Sequence, residues 1–228
     1  HAMTTISTGG YSTSDGSVGH FDSVPIDWII PLFMIVGSLP FVLILEAARK
    51  GPGPILRDSQ VQVFLGILLV LVAAVAAWLW LANGTHPEEA LRHAAFNVVS
   101  IVTGTGYSTA DYNLWGSFAV VAFLFFMFIG GCAGSTSCGI KIFRYQVLFS
   151  TTAAQMKRLI QPHGVFVPHF HGKPIPDSVA DAVMSFFFLF GFTFALLALA
   201  LLALDLDFVT AVSAAATAIT NVGPALGE

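Results

Sequence analysis

The sequence predicts an all-α integral membrane protein built from repeated units, each with a helix, a shorter re-entrant pore helix followed by a glycine turn, and a second helix. Three observations support this prediction. Of the 228 residues, 56% are hydrophobic and only 10% are charged. Long apolar segments alternate with apolar segments that are too short to cross a bilayer, and a glycine motif recurs after the short ones. A surface with so few charges suits lipid better than water.

Three long segments are predicted to span the membrane. A helix needs about 20 residues to cross the ~30 Å hydrocarbon core, because only intrahelical hydrogen bonds satisfy its backbone there. Residues 25–45, 61–82 and 179–204 meet this requirement. The first of these segments contains Pro31 and Pro40, so we expect it to be kinked but to cross as one helix. Asp27 and Asp205, near the ends of spans, are expected to lie in solvated positions.

A fourth apolar segment, residues 115–149, predicts a broken transmembrane helix. Its apolar run is interrupted by "GGCAGSTSCG" at residues 130–139 and then resumes. Non-helical backbone at membrane depth is tolerated only where it is buried in protein or lines a water-filled cavity. We therefore expect this glycine-rich loop to face a transport pathway.

Two shorter apolar segments, residues 88–102 and 207–219, are predicted to be re-entrant. Each begins with acidic residues, which suit a helix N-terminus, and each ends at a glycine turn. Their C-terminal ends carry partial negative charge and would point into the membrane toward the turn.

The basic residues predict the orientation of the chain, because Lys and Arg favour short cytoplasmic loops. All but one of them fall on or beside two loops that lie on the same side of the predicted spans, and every glycine turn falls on the opposite side. These residues are Arg49, Lys50, Arg57, Lys141, Arg144, Lys157, Arg158 and Lys173. The exception, Arg92, lies on a predicted re-entrant helix.

The glycine turn is an internal repeat. "STGGY" at 7–11, "TGTGY" at 103–107 and "TNVGP" at 220–224 align with a hydroxyl residue first and a glycine fourth, at Gly10, Gly106 and Gly223. A dehydrated cation needs a ring of oxygens, and glycine permits the positive φ that turns backbone carbonyls toward one axis. A single membrane glycine more often serves helix packing, but three aligned copies favour an ion filter. Pro224 stands where the other copies have Tyr11 and Tyr107, which are expected to pack beside the filter.

Four stretches carry a family resemblance: "TTISTGGYSTSDGS", "FNVVSIVTGTGYSTADYNLWG", "FIGGCAGSTSCGIKIFR" and "AITNVGPALG". In this order they resemble the TrkH/KtrB superfamily of potassium uptake proteins, most closely its TrkH branch. The resemblance implies four repeats with fourfold pseudo-symmetry in one polypeptide, similar to four fused potassium-channel subunits. It also implies that this chain is a fragment: residues 1–60 end the second repeat, 61–150 form the complete third repeat, and 151–228 hold a cytosolic connector and the fourth repeat through its filter.

The resemblance assigns roles to particular residues. It implies a potassium-binding filter formed by Ser7, Thr8, Gly9, Gly10, Thr103, Gly104, Thr105, Gly106, Thr220, Asn221, Val222 and Gly223. It implies a gate in the intramembrane loop formed by Gly130, Gly131, Cys132, Ala133, Gly134, Ser135, Thr136, Ser137, Cys138 and Gly139. Potassium would be the transported ion, with no cofactor and no structural metal.

The expected partners are membrane lipid, a second copy of the parent protein in a homodimer, and a cytosolic ring of nucleotide-binding regulatory subunits of the TrkA type. The resemblance places the protein in the bacterial cytoplasmic (inner) membrane as a multi-pass protein. A net charge of -4 gives no basic face for nucleic acid. The run "GSTSCGIK" does not predict a nucleotide site, because Ile140 separates Gly139 from Lys141 and the segment follows a membrane helix.

Some residues allow two interpretations. Ser135, Thr136 and Ser137 either cap the broken helix or act in the gate. Lys141 and Arg144 lie at the inner mouth, where they either repel cations or anchor the helix at the cytoplasmic interface, and the sequence favours the anchor. The two cysteines are expected to pack in the loop without forming a disulfide.

The histidine-rich connector "QPHGVFVPHFHGKPIPD" suggests a metal, but with no Cys or acidic residue nearby before Asp177 we favour a connector that contacts regulatory subunits. The sequence lacks hydrolase and metalloprotease motifs, so no enzyme activity is expected. The main alternative is a secondary transporter that couples potassium to protons or sodium, which would also use broken helices. Such proteins keep ionisable residues inside the membrane, and few are present here, so a gated channel-like pore is favoured.

Overall fold

The computed structural model describes residues 1–226, which fold into helices and one small sheet. Three of the helices, α1, α6 and α10, end at the three glycine motifs. In chain order the helices are α1 (Ala2–Ile6), α2 (Val24–Gly37), α3 (Phe41–Lys50), α4 (Gly53–Arg57), α5 (Ser59–Asn83), α6 (Pro87–Val102), α7 (Ser117–Phe126), α8 (Ile142–Ile160), α9 (Asp177–Leu202) and α10 (Phe208–Thr220). Short 3₁₀ helices cover Ser17–Phe21 and Tyr112–Trp115, and the antiparallel strands β1 (His169–Phe170) and β2 (Lys173–Pro174) form a hairpin in the connector.

Two of the described helices, α5 and α9, are each long and apolar enough to cross a membrane. Helix α5 contains the predicted span 61–82, and α9 covers the predicted span 179–204 up to residue 202. Helix α5 begins where the carboxylate of Asp58 accepts hydrogen bonds from the amides of Gln60 and Val61, at 2.9 and 3.2 Å. It ends at Gly84, whose φ of +68° closes the last turn.

The predicted span 25–45 is kinked, as expected, but the kink is so sharp that it divides the segment into two helices. Helix α2 ends at Gly37, α3 begins at Phe41, and the two helices meet at an angle of 100°. Pro31 stays inside α2, whereas Pro40 stands at the start of α3, where its missing amide hydrogen costs nothing. The bend leaves backbone groups of residues 37–41 available to other parts of the chain.

The broken helix predicted at 115–149 is present. Helix α7 ends at Phe126, α8 begins at Ile142, and the intervening chain folds back so that Ile129 and Ile140 form an isolated β-bridge. The amide of Gly130 donates to the carbonyl of Ile140 at 2.9 Å, which closes the base of the loop. The glycine-rich segment is therefore an ordered loop between two helices.

Helix α6 lies at the centre of the described structure. Nine of its 16 residues are buried, and it packs against α5 and α2. By contrast, α3 has no buried residue and α9 has three along 26 residues. The element whose C-terminus carries the second glycine motif is thus the most enclosed part of the chain.

A buried ion pair holds α6 against α2. Arg92 Nη1 lies 2.5 Å from Asp27 Oδ2, and the two side chains are 18% and 6% exposed. The expectation that Asp27 is solvated was wrong, because its partner lies 65 residues away and no local pattern links them. The pair also gives a partner to Arg92, the one basic residue outside the two loops that hold the others. Asp205 is exposed, as expected.

Candidate ion filter and gate

The three glycine motifs lie side by side. A Cβ atom added to Gly10 would overlap the carbonyl oxygen of Thr105, and one added to Gly106 would overlap the carbonyl oxygen of Val222. The first motif therefore contacts the second, and the second contacts the third, through backbone atoms that only glycine admits. Within the described residues, no atom lies within 4 Å of a Cβ added to Gly223.

The three motifs share one backbone conformation. The fourth residues, Gly10, Gly106 and Gly223, have φ of +65°, +84° and +109°. The second residues are also left-handed, with φ of +49° at Thr8, +71° at Gly104 and +56° at Asn221. The sequence pattern identified the fourth position and missed the second, because two of its three occupants are not glycine. A chain that alternates in this way is not a β-strand, whose carbonyls point alternately to opposite sides.

Each motif also closes its pore helix in the same way. The third residue of the motif donates its amide hydrogen to the carbonyl five residues earlier, the bond that defines a Schellman cap. The three bonds are Gly9 N–H to Thr4 O at 2.8 Å, Thr105 N–H to Ser100 O at 2.9 Å, and Val222 N–H to Thr217 O at 3.3 Å. The partial negative end of each helix is thus fixed at the start of its motif.

In each repeat, a hydroxyl residue six positions before the fourth-position glycine ties the pore helix to the end of the motif. Sequence reasoning missed these residues, although their constant spacing is visible in the alignment. Thr4 Oγ1 donates to the carbonyl of Tyr11 at 3.1 Å, Ser100 Oγ donates to the carbonyl of Tyr107 at 2.6 Å, and Thr217 Oγ1 accepts from the amide of Gly223 at 2.8 Å.

The two motif tyrosines differ in their surroundings. Tyr107 is fully buried, and its hydroxyl hydrogen-bonds to Thr4 Oγ1 and lies 3.2 Å from the carbonyl of Tyr11. It packs beside the motifs, as the sequence predicted. Tyr11 is 78% exposed, so the expected packing of its ring is not seen within the described residues.

The loop of residues 130–139 touches the second and third motifs and the end of α1, directly before the first motif. The amide of Gly139 donates to the carbonyl of Thr220 at 3.1 Å, and a Cβ on Gly104 would lie 3.0 Å from the Cβ of Cys138. On the third side, Thr136 Oγ1 lies 3.1 Å from the carbonyl oxygen of Ile6, the last residue of α1. The loop therefore occupies the space beneath the motifs.

Hydroxyl groups hold the loop in shape. Ser137 Oγ accepts from the amide of Gly131 at 2.8 Å, and Ser135 Oγ donates to the carbonyl of Cys132 at 2.6 Å. From outside the loop, Gln60 Oε1 accepts from the amide of Ala133 at 3.0 Å. Cys132 and Cys138 are both free, as expected for residues that pack in the loop.

The two basic residues at the inner mouth lie in different environments. The ammonium of Lys141 folds back onto the loop, where it donates to the carbonyl of Ser137 and lies 3.4 Å from Ser135 Oγ. It is half-buried and holds the loop, a contact that the sequence did not predict. The guanidinium of Arg144 lies 3.8 Å from the centre of the Phe186 ring on α9.

The histidine-rich connector shows no metal-binding group of three or more His, Cys, Asp or Glu within residues 1–226. His171 lies 3.6 Å from Asp58 and its Nε2 is 2.8 Å from Ser59 Oγ. The acidic partner comes from the start of α5, and the connector is thereby tied to the same helix end that contacts the loop of residues 130–139.

Comparison with known protein families shows which family the chain belongs to. The model of the family TrkH, described as a cation transport protein, matches residues 1–228. The chain belongs to the TrkH family. It is 47% identical over 229 residues to the Trk system potassium uptake protein TrkI of Halomonas elongata, covering 100% of this chain and 46% of that protein.

A TrkH family member of known structure has the same fold. The crystal structure of the potassium transporter TrkH from Vibrio parahaemolyticus superimposes with a TM-score of 0.93 at 37% identity, over 100% of this chain and 50% of that one. Trk system potassium uptake protein TrkH of Escherichia coli is 33% identical and is covered over 47% of its length. The chain thus spans about half the length of these relatives. The comparisons confirm the predicted family and the helical membrane fold, and they agree with the expectation that the protein is not an enzyme.

Proposed function

We propose that this chain forms part of a membrane protein that takes up potassium through a gated, channel-like pore. The observation that carries the proposal is the meeting of the three glycine motifs, each with left-handed residues at its second and fourth positions and each capping a pore helix. A repeated backbone conformation at one place is what a ring of carbonyl ligands requires. The relatives of this chain are named potassium uptake proteins.

In this proposal the motif residues replace the hydration shell of potassium. Backbone carbonyls of 7–10, 103–106 and 220–223 supply oxygen ligands, and the negative ends of α6 and α10 favour a cation at the same place. The motif side chains are not identical, since Thr8, Gly104 and Asn221 occupy one position. Selectivity would therefore depend on the backbone more than on any one side chain.

The loop of residues 130–139 is proposed to be the gate. It lies beneath the motifs, contacts the second and third of them and reaches the end of α1 directly before the first, so an ion that leaves the filter toward the cytoplasm would meet it. Lys141 places its ammonium against this loop, where its charge would oppose a passing cation while the loop is closed.

We further propose that the parent protein works in the bacterial cytoplasmic membrane as a homodimer and that a TrkA-type ring of nucleotide-binding subunits regulates it. The connector between α8 and α9 supports this proposal, because it carries three histidines and Lys173, forms a hairpin and contacts the start of α5. Potassium is the transported ion in this proposal, and no cofactor takes part.

The test is potassium and sodium flux into proteoliposomes that contain the full-length parent, with two variants. Gly106→Ser adds a Cβ where φ is +84° and where the carbonyl of Val222 leaves no room, so sodium should enter more easily relative to potassium. Deletion of residues 132–137 should raise flux without changing the ion preference. Gly66→Ser, on the exposed face of α5 with no atom near its added Cβ, is the control for the serine substitution.

Two results would contradict the proposal. Flux that requires a proton or sodium gradient, together with an unchanged ion preference in Gly106→Ser, would favour a coupled transporter. Unchanged flux in a deletion variant that is expressed normally would show that the loop is not the gate.

A further inference from the structure

The break between α2 and α3 is joined to the gate loop by backbone hydrogen bonds. A helix break frees amide and carbonyl groups, which must find other partners when buried. Here they pair with the loop: Cys132 N–H donates to Ser38 O at 3.0 Å, Thr136 N–H to Gly37 O at 3.2 Å, and Phe41 N–H to Gly134 O at 3.0 Å. The broken helix of the second repeat thus holds the broken helix of the third.

The side chain of Thr136 also hydrogen-bonds to two backbone carbonyls outside the loop, one in α1 and one at the end of α2. Its Oγ1 lies 2.9 Å from the carbonyl oxygen of Gly37 and 3.1 Å from that of Ile6. One hydroxyl has one hydrogen, so the two carbonyls share it. The close approach depends on Gly37, since a Cβ there would lie 2.6 Å from the oxygen of Ile6.

We infer that Thr136 and the break at residues 37–41 form a latch that keeps the gate loop closed. This inference rests on the proposed gating role of the loop. The loop cannot leave its position beneath the motifs without giving up its bonds to Gly37 and Ser38. Thr136 is a positioning residue here, because it acts through the loop and does not contact the ion.

The latch also gives α3 a role. This helix starts at the break, turns 100° away from α2 and has no buried residue. A shift of α3 therefore meets little resistance from the core, and it would move Phe41, whose amide is bonded to the loop at Gly134. Motion on the cytoplasmic side thereby reaches the gate through one short connection.

The experiment uses the full-length parent in proteoliposomes, with potassium and sodium flux and hydrogen exchange of residues 130–139 as readouts. Thr136→Val removes the hydroxyl and keeps the shape. Losing one ordinary hydrogen bond shifts an equilibrium by about three- to tenfold, so potassium flux should rise by that factor with the ion preference unchanged and with faster exchange of the loop amides. Thr136→Ser restores the hydroxyl and should behave as the unmodified protein. Thr152→Val, at an exposed position on α8, is the control for the substitution itself.

The remaining outcomes overturn the latch. Unchanged exchange and flux would show that the hydroxyl does not hold the loop. A changed ion preference without increased flux would show that the hydroxyl supports the first motif through Ile6 instead. Faster exchange without increased flux would show a structural contact only. If Thr136→Val does not fold, Thr136→Ala is measured in the same way. Deletion of residues 132–137 separates the two proposals: if it raises flux while Thr136→Val does not, the gate stands and only the latch fails.

Discussion

Glycines with positive φ serve two different purposes in this chain: some allow close contact with a neighbouring segment, and others only allow a helix to end. Gly10 and Gly84 have nearly the same φ, +65° and +68°. A Cβ on Gly10 would overlap the carbonyl of Thr105, whereas a Cβ on Gly84 would meet no atom within 4 Å. The first glycine provides space for a neighbouring motif, and the second only lets α5 end.

The pair Gly10→Ala and Gly84→Ala therefore tests whether contact between motifs sets ion preference. Both variants place alanine at positive φ, which costs about 1 kcal/mol. Only Gly10→Ala also pushes the motif away from Thr105, so it alone should reduce the ratio of potassium to sodium flux. The measurement is that ratio in proteoliposomes, with thermal unfolding of both variants beside it. An equal loss of ion preference in Gly84→Ala would show that general destabilisation is the cause.

At the scale of elements, the ion pair between α2 and α6 fixes a pore helix to the helix of the preceding repeat. Asp27 and Arg92 are both largely removed from water, so each charge depends on the other. Because the C-terminus of α6 carries the second glycine motif, the ion pair helps to set the position of that motif.

A double-mutant cycle should show strong coupling between these two residues. Arg92→Met leaves the carboxylate of Asp27 buried without a partner, and we expect a loss of about 3 kcal/mol in the free energy of unfolding. Adding Asp27→Leu should recover most of that loss, because no unpaired charge remains. Thermal unfolding of the purified parent measures both effects.

The control for this cycle is the exposed pair Glu46 and Lys50, 3.9 Å apart, with side chains 46% and 70% exposed. Lys50→Met should change stability by less than about 1 kcal/mol. Additive losses in the double variant of Asp27 and Arg92 would mean that the buried charges act independently.

The elements also show what the sequence determines and what it leaves open. The glycine motifs, the re-entrant helices α6 and α10 and the break before α8 follow from local composition, and all were predicted. A kink in the segment 25–45 was predicted as well, but its position and its angle of 100° were not, because Pro31 and Pro40 look alike in sequence and only Pro40 coincides with a helix end. The partners of Asp27 and Lys141 also escaped prediction, since they depend on how distant or folded-back segments pack.

Across the whole molecule, the loop of residues 130–139 that we propose as the gate is held from two sides. The break between α2 and α3 holds it through Gly37 and Ser38, and the start of α5 holds it through Gln60, whose Oε1 accepts from the amide of Ala133. The same turn of α5 contacts the connector, because Ser59 and Asp58 lie beside His171. The helix break and the start of α5 therefore reach the loop by two separate routes.

If both routes hold the loop closed, their contributions should combine. Gln60→Met removes the acceptor and leaves the amide of Ala133 without its partner, so potassium flux should rise by about three- to tenfold. When opening requires both contacts to break, their free energies add, and the double variant Gln60→Met with Thr136→Val should show the product of the two single increases. Flux in proteoliposomes measures this, with Gln62→Met on the exposed side of α5 as the control. A double variant no more active than either single one would mean that one contact already limits opening, and that the routes act in series.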